Sequence, residues 1–208
     1  MKLYGFGESG NAYKVALMLT LTKTPWQLAF VPFFTGGTRT PEFRAVNVMG
    51  EVPALVDGDV TLTQSGVILD YLADRTGQFS GRDEAERREV MRWLFWDNHK
   101  LSTQIGSLRF LMNFMPADNR PVAVFPYLQG RLKAAYAVLD AHLANRDWIA
   151  APHTTIADLS CCGYLYYPEP FGFDPADWPH IAAWLDRVSA LPGWEHPYDL
   201  MPRAFSPQ

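Results

Sequence analysis

Cysteine is scarce in this chain. There are two, Cys161 and Cys162, and they are neighbours. Adjacent cysteines seldom bridge to each other, and two thiols make neither a disulfide framework nor a zinc site. A dense Lys/Arg run is also missing, and the formal net charge is −4. Nucleic-acid binding needs a basic footprint, so that class is excluded. Long apolar runs are absent too. The opening "MKLYGFGESG" holds no signal-peptide core, and no stretch has the length of a membrane span. These absences predict a reduced, soluble, cytoplasmic protein with no metal, no membrane and no nucleic acid among its partners.

What is present is ordinary globular material. Hydrophobic residues make up 48% of the 208 positions and charged residues 19%. That is enough to bury a core, as one large domain or two small ones. Seven Trp and thirteen Phe predict large aromatic contacts.

The first third alternates strand and helix signals. "KLYGF" reads as a short strand, "GESGN" as a glycine-bearing loop, and 11–22 as a helix with Val15, Met18 and Leu19 on one face. Pro25 closes that helix. A second strand follows over 26–33, and Pro32 ends its ladder or puts it on an edge. A short helical turn is expected at 41–45. Residues 54–63 form a hairpin with Asp57-Gly58 as turn signal, and 65–74 form another one-faced helix. A βαβ unit followed by ββα is the thioredoxin-like arrangement.

After the polar stretch 76–87 the strand signals stop. Val90, Leu94, Leu101, Ile105, Leu108 and Met112 predict one long helix, and Leu128 to Leu143 another. Thr155 and Asp158 make a capping box before "LSCCGYLYY". Residues 179–191 give a further helix, and the tail is irregular. The expected domains are 1–77, α/β and thioredoxin-like, and 85–208, all-α, with a linker at 78–84.

Three short segments carry the chemistry. Pro53 opens a strand, either as a trans proline that starts it or as a cis proline that bends the chain. In the second case the N–H and C=O of Val52 are turned out to pair with an extended peptide. Ser65 falls at the N-cap of the next helix, with Gln64 beside it. It either caps that helix or leaves the positive helix end to a carboxylate. Ser9 and Asn11 mark the first strand-to-helix junction, where a nearby thiol has its pKa lowered by the helix dipole and a donated hydroxyl. A capping serine is the plainer alternative.

Together, "SGNAYKVALML", "NVMGEVPALVDGDVTLTQSGVILDYLA" and "TTIADLSCCGYL" resemble the cytosolic glutathione S-transferase family, over essentially the whole chain. The resemblance implies the glutathione S-transferase fold, glutathione as co-substrate, a homodimer, and a role in detoxification. It implies that Pro53 is cis and that Val52 pairs with the cysteinyl backbone of glutathione. Gln64 and Ser65 would hold the γ-glutamyl end, and Arg39 or Thr38 the glycine carboxylate. Ser9, in the place of serine-type members, would steady the thiolate, with Asn11 and Tyr13 as rivals. Glu51 departs from the basic or neutral residue many relatives have, and its charge opposes a ligand with two carboxylates. Asp97 or Asn98 lies about where relatives reach a partner subunit's glutathione. Phe110, Asn113, Phe114 and Tyr164 are candidates to line a pocket for an apolar small-molecule electrophile, with core packing as the alternative. His99 stands alone on a helix and reads as structural. Besides transferase chemistry, the family includes non-catalytic scaffolds and glutathione-dependent disulfide reductases or peroxidases.

Overall fold

A computed structural model of the chain describes residues 1–205. The chain divides into two compact units, Met1–Gln78 with Pro192–Gln208, and Phe79–Leu191.

The first unit is built on a four-stranded sheet in the order β2-β1-β3-β4. Strand β1 (Lys2–Gly5) is parallel to β2 (Gln27–Phe30) and antiparallel to β3 (Ala54–Asp57), which pairs in a hairpin with β4 (Val60–Thr63). The turn falls on Gly58 and Asp59, with Gly58 at φ +58°, a conformation in which a side chain is costly. Strand β2 lies on the sheet edge and ends before Pro32, whose missing N–H donates nothing to a ladder.

Helix α1 (Gly10–Leu21) joins β1 to β2 by a crossover. It is buried on nearly all sides, with Ala12, Tyr13, Val15, Leu17, Met18 and Leu19 at zero exposure. Helix α2 (Pro41–Val46) is short, with Thr40 as N-cap and Pro41 at its first position. Helix α3 (Ser65–Thr76) buries Ile68, Leu69 and Leu72, packs beside α1, and stops at Gly77, which is left-handed. The Tyr71 hydroxyl donates to Asp57 at 2.8 Å, and Arg75 pairs with the same carboxylate at 3.2 Å. That cluster ties α3 to the hairpin.

The second unit is helical. Helix α4 (Glu84–Trp96) runs through a π-helical segment, Asp97–Ser102, into α5 (Thr103–Asn113). One long helix was expected, and the backbone is helical throughout, but its middle is widened. The cause is side-chain bonding at i,i+5. Ser102 donates to the buried Asp97 carboxylate at 2.7 Å, and Thr103 donates to the Asn98 carbonyl. Helix α6 (Phe125–Leu143), α7 (Ile156–Cys161) and α8 (Pro179–Ser189) follow, and Leu132, Leu139, Ile181 and Trp184 are among their core side chains. The capping box of α7 forms as read from the sequence, with Thr155 and Asp158 each accepting from the other's end of the turn.

The tail is a difference. It was assigned to the helical half, yet it belongs with the first unit and contains a short helix, α9 (Pro197–Leu200). The buried Tyr13 hydroxyl donates to the Glu195 carbonyl at 2.8 Å, and the Gly7 N–H donates to the Pro202 carbonyl at 2.7 Å. These are bonds to main chain, which no side-chain pattern announces.

Candidate functional site

The β1–α1 loop places Ser9 as the N-cap of α1. Its Oγ accepts the Ala12 N–H at 3.2 Å, which satisfies one orphan donor of the first turn. The bond uses a lone pair and leaves the hydroxyl proton to donate. The plain reading of Ser9 as a cap holds, and it is compatible with donation of the hydroxyl proton to a ligand. Tyr13, its rival, is buried, and its hydroxyl donates to the Glu195 carbonyl at 2.8 Å.

Helix α3 begins one residue earlier than the sequence suggests. Gln64, not Ser65, is the N-cap, and Ser65 is the first helical residue. Gln64 has φ +67°, a region that non-glycine residues seldom occupy outside turns and functional sites. Its carbonyl accepts from the Ile68 N–H at 3.0 Å, so the backbone still starts the helix, but its side chain caps nothing. The amide instead points to Met49 Sδ and Glu51 Oε2, each at 3.3 Å. Relieved of capping, the Ser65 hydroxyl donates to Asn11 Oδ1 at 3.4 Å. The N-terminal ends of α1 and α3 thus meet at Asn11 and Ser65. Two positive helix ends directed at one place favour a bound anion.

The Val52–Pro53 bond is cis. Among the described residues neither the N–H nor the C=O of Val52 has a hydrogen-bond partner, so both are available to an extended peptide. The run before it is braced by residues the sequence reading missed. Asn47 is 2% exposed; its amide donates to the Glu51 carbonyl at 2.7 Å and its Oδ1 accepts the Met49 N–H at 3.1 Å. Arg44 donates to the Val48 carbonyl at 2.8 Å, and its guanidinium lies against Gly50, which has φ +67°. A Cβ at Gly50 would meet that guanidinium at 3.0 Å. The signal was present as Asn47 and Gly50 flanking a tight bend.

Of the two residues considered for a third contact, Thr38 is buried and Arg39 is exposed, with no hydrogen bond or ion pair from its guanidinium among the described residues. Glu51 is exposed and holds the Gln64 amide. The site therefore combines a free backbone pair, two helix ends and a hydroxyl with an available proton, with the Glu51 carboxylate beside the Gln64 amide.

Several second-unit candidates are committed elsewhere. Asp97 is buried and accepts from Ser102 and from Ser160, the latter at 2.6 Å, so it reaches into its own unit; Asn98 and His99 are exposed. The Asn113 amide donates to the Arg109 and Pro170 carbonyls. Phe114 packs under the Arg109 guanidinium, 5.0 Å from ring centroid to Cζ. Tyr164 is nearly buried, and a Cβ on Gly106 would stand 3.2 Å from its hydroxyl. Phe110 keeps about a third of its surface exposed.

Residues 1–74 match the family model for the glutathione S-transferase N-terminal domain, and 105–192 match that for the C-terminal domain. A possible glutathione S-transferase from Rhodopseudomonas palustris superposes with a TM-score of 0.89 at 35% identity, over 99% of this chain and 93% of that one. The disulfide-bond oxidoreductase YfcG of Escherichia coli K12 is 29% identical over 194 residues, 90% of this chain and 89% of that protein. A glutathione transferase from Burkholderia graminis, solved with two glutathione molecules bound per subunit, superposes with a TM-score of 0.83 at 28% identity, covering 92% of this chain and 84% of that one.

Proposed function

The chain belongs to the glutathione S-transferase family, and from that premise we propose that it binds glutathione, stabilises its thiolate and transfers it to an apolar electrophile. The observation that carries this reading is the Ser65–Asn11 hydrogen bond, because it joins the starts of α1 and α3. Glutathione would lie extended along Val52, its cysteinyl backbone pairing with the free N–H and C=O. The γ-glutamyl carboxylate would take the end of α3 at Ser65, with the Gln64 amide beside it, after Pro53 has turned the chain. Arg39 is the cation suited to the glycine carboxylate, and Thr38 supports the turn from within. The thiol would reach the start of α1, where Ser9 donates to it and Asn11 stands alongside.

Ser9 does not ionise in this scheme. Its donated hydrogen bond and the helix end favour the thiolate over the thiol, which lowers the thiol pKa. The thiolate then forms a bond to the electrophilic carbon, and the displaced group leaves with the electron pair. As in the family generally, a homodimer is the expected state. Among the described residues no helix is long and apolar enough to cross a membrane.

A second reading has specific support. YfcG is a disulfide-bond oxidoreductase, and the Burkholderia relative holds two glutathiones per subunit. Both cysteines of this chain are buried, so disulfide reduction here would use two glutathione thiols: R–S–S–R plus two glutathiones gives two R–SH and glutathione disulfide.

Calorimetric titration with glutathione, with Ser65→Ala in parallel, tests the binding. Saturable binding that weakens about tenfold or more in the variant is expected, the loss of a charge-assisted hydrogen bond. No binding at millimolar glutathione would sink the proposal. Turnover of a chloro-nitroaromatic electrophile against that of a mixed disulfide then separates the two chemistries.

A further inference from the structure

Glu8 is a carboxylate with 4% exposure, next to Ser9 in sequence, and the transferase reading gives it no task. Its partners come from the tail. Oε2 accepts the Ala204 N–H at 2.8 Å, Oε1 accepts the Phe205 N–H at 3.0 Å, and the Arg203 Nε lies 3.4 Å from Oε1. Arg203 in turn sits over the Tyr198 ring at 4.3 Å, and the Phe205 ring meets Phe34 edge-on at 5.0 Å. The two backbones touch as well. A Cβ on Gly7 would stand 2.8 Å from the carbonyl oxygens of both Met201 and Pro202, so only glycine admits this approach. With the Tyr13–Glu195 bond, the tail is fastened on both sides of Ser9, at residues 7 and 8 before it and at 13 after it.

We propose that Glu8 is a positioning residue: its carboxylate clamps residues 203–205 onto the loop that carries Ser9, and so holds the Ser9 hydroxyl where it can donate to the glutathione thiolate. The inference rests on the transferase reading above. A purely structural anchor could be apolar. A buried carboxylate beside a site that must host a second negative charge works against that charge unless it is neutralised. Two backbone N–H groups and a guanidinium, all from the tail, supply the neutralisation. The clamp therefore has two effects on one quantity, the pKa of the bound thiol. It fixes the hydroxyl that lowers that pKa, and it masks the charge that would raise it.

The test is an ultraviolet titration of the thiolate of enzyme-bound glutathione, with kcat and the glutathione dissociation constant measured alongside. Glu8→Ala removes a negative charge as well as the clamp, but loss of the oriented donor outweighs loss of the charge, so the bound thiol pKa is expected to rise by up to about one unit and kcat to fall by up to about tenfold near neutral pH. The dissociation constant should change less than about twofold, since Val52, Gln64 and Ser65 are untouched. Glu8→Gln, which keeps one acceptor oxygen, should fall between. Arg203→Met removes the counter-charge, and with it the cation–π contact on Tyr198, from a side chain 45% exposed, and it keeps both backbone bonds to Glu8, so it is the variant to use should Glu8→Ala fail to fold. It should raise the thiol pKa by about half a unit. Bound glutathione with an unchanged thiol pKa in a folded Glu8→Ala, or in Arg203→Met if that is the variant available, overturns the positioning role alone. A wild type that binds no glutathione overturns the transferase reading first, and the two failures are told apart before any variant is made.

Discussion

Asn47 shows how one buried amide can set the geometry of the backbone proposed to pair with glutathione. Its two hydrogen bonds span the bend from 47 to 51, and Glu51 is joined directly to Val52. Asn47→Ala leaves the Glu51 carbonyl and the Met49 N–H without that partner. Met49 and Glu51 are exposed, so water can take up part of the loss and the cost is that of an ordinary hydrogen bond, about 0.5–1.5 kcal/mol each; the chemical-denaturation midpoint should fall and glutathione binding should weaken with it. Binding that survives while stability drops would show that Val52 is held by other means. Glu51 offers the opposite sign. Its carboxylate is exposed, so its repulsion of an anionic peptide is small and screened, about 0.5–1 kcal/mol. Glu51→Gln should tighten glutathione roughly two- to fivefold at low salt, and the gain should shrink as salt rises. A gain that ignores salt would point instead to release of the Gln64 amide, which Glu51 now holds.

At the scale of elements, the features legible in the sequence were those decided within a few residues. Thr155 and Asp158 are three positions apart and meet as a capping box, and the β3–β4 hairpin is likewise local; the cis Val52–Pro53 bond was left open by the residues and expected only from the family resemblance. What escaped was decided at long range. The π-helical segment depends on a buried Asp97 that also binds Ser160, 63 residues away. The start of α3 slipped by one residue because Gln64 takes a left-handed backbone that composition does not reveal. The tail escaped because its anchors are carbonyls and N–H groups common to every residue. The residues expected to hold glutathione were legible as types in a familiar order, whereas Asn47 and Glu8, which act on those residues through the backbone, were not. The capping box gives the prediction for this scale. Asp158 accepts from the Thr155 N–H and hydroxyl, the Ile149 N–H and the Trp184 ring N–H, all at 2.8–3.2 Å. Asp158→Ala orphans three buried N–H donors and should cost at least about 3 kcal/mol, read as a fall in the denaturation midpoint. Loss of less than about 1 kcal/mol would mean that water replaces the carboxylate, against the zero exposure of the site.

For the molecule as a whole, that network gives stability a dependence on pH. The Ile149 N–H is held by Asp158, while its carbonyl faces His142 Nε2 at 2.8 Å; the imidazole also packs on Trp93, with centroids 4.5 Å apart. Helix α6, the 144–155 segment and α7 are thereby linked through one imidazole. Burial pushes the His142 pKa below its ordinary value. The Ile149 carbonyl opposes this, Arg146 and Arg92 reinforce it, and Glu89 opposes it weakly. A folded pKa below the unfolded one means that the unfolded chain takes up the proton first as pH falls. Stability then rises with pH across the interval between the two values. The contribution is intact above the ordinary histidine range near 6.5, is lost progressively as pH falls through it, and levels off below the folded pKa. The unfolding midpoint should therefore fall between pH 7.5 and 5.5, roughly the interval around the ordinary histidine value. His142→Gln can still donate to Ile149 but does not titrate, so its midpoint should fall less over the same interval. Parallel pH profiles for the two proteins would show that the imidazole is not the group that couples protonation to this fold.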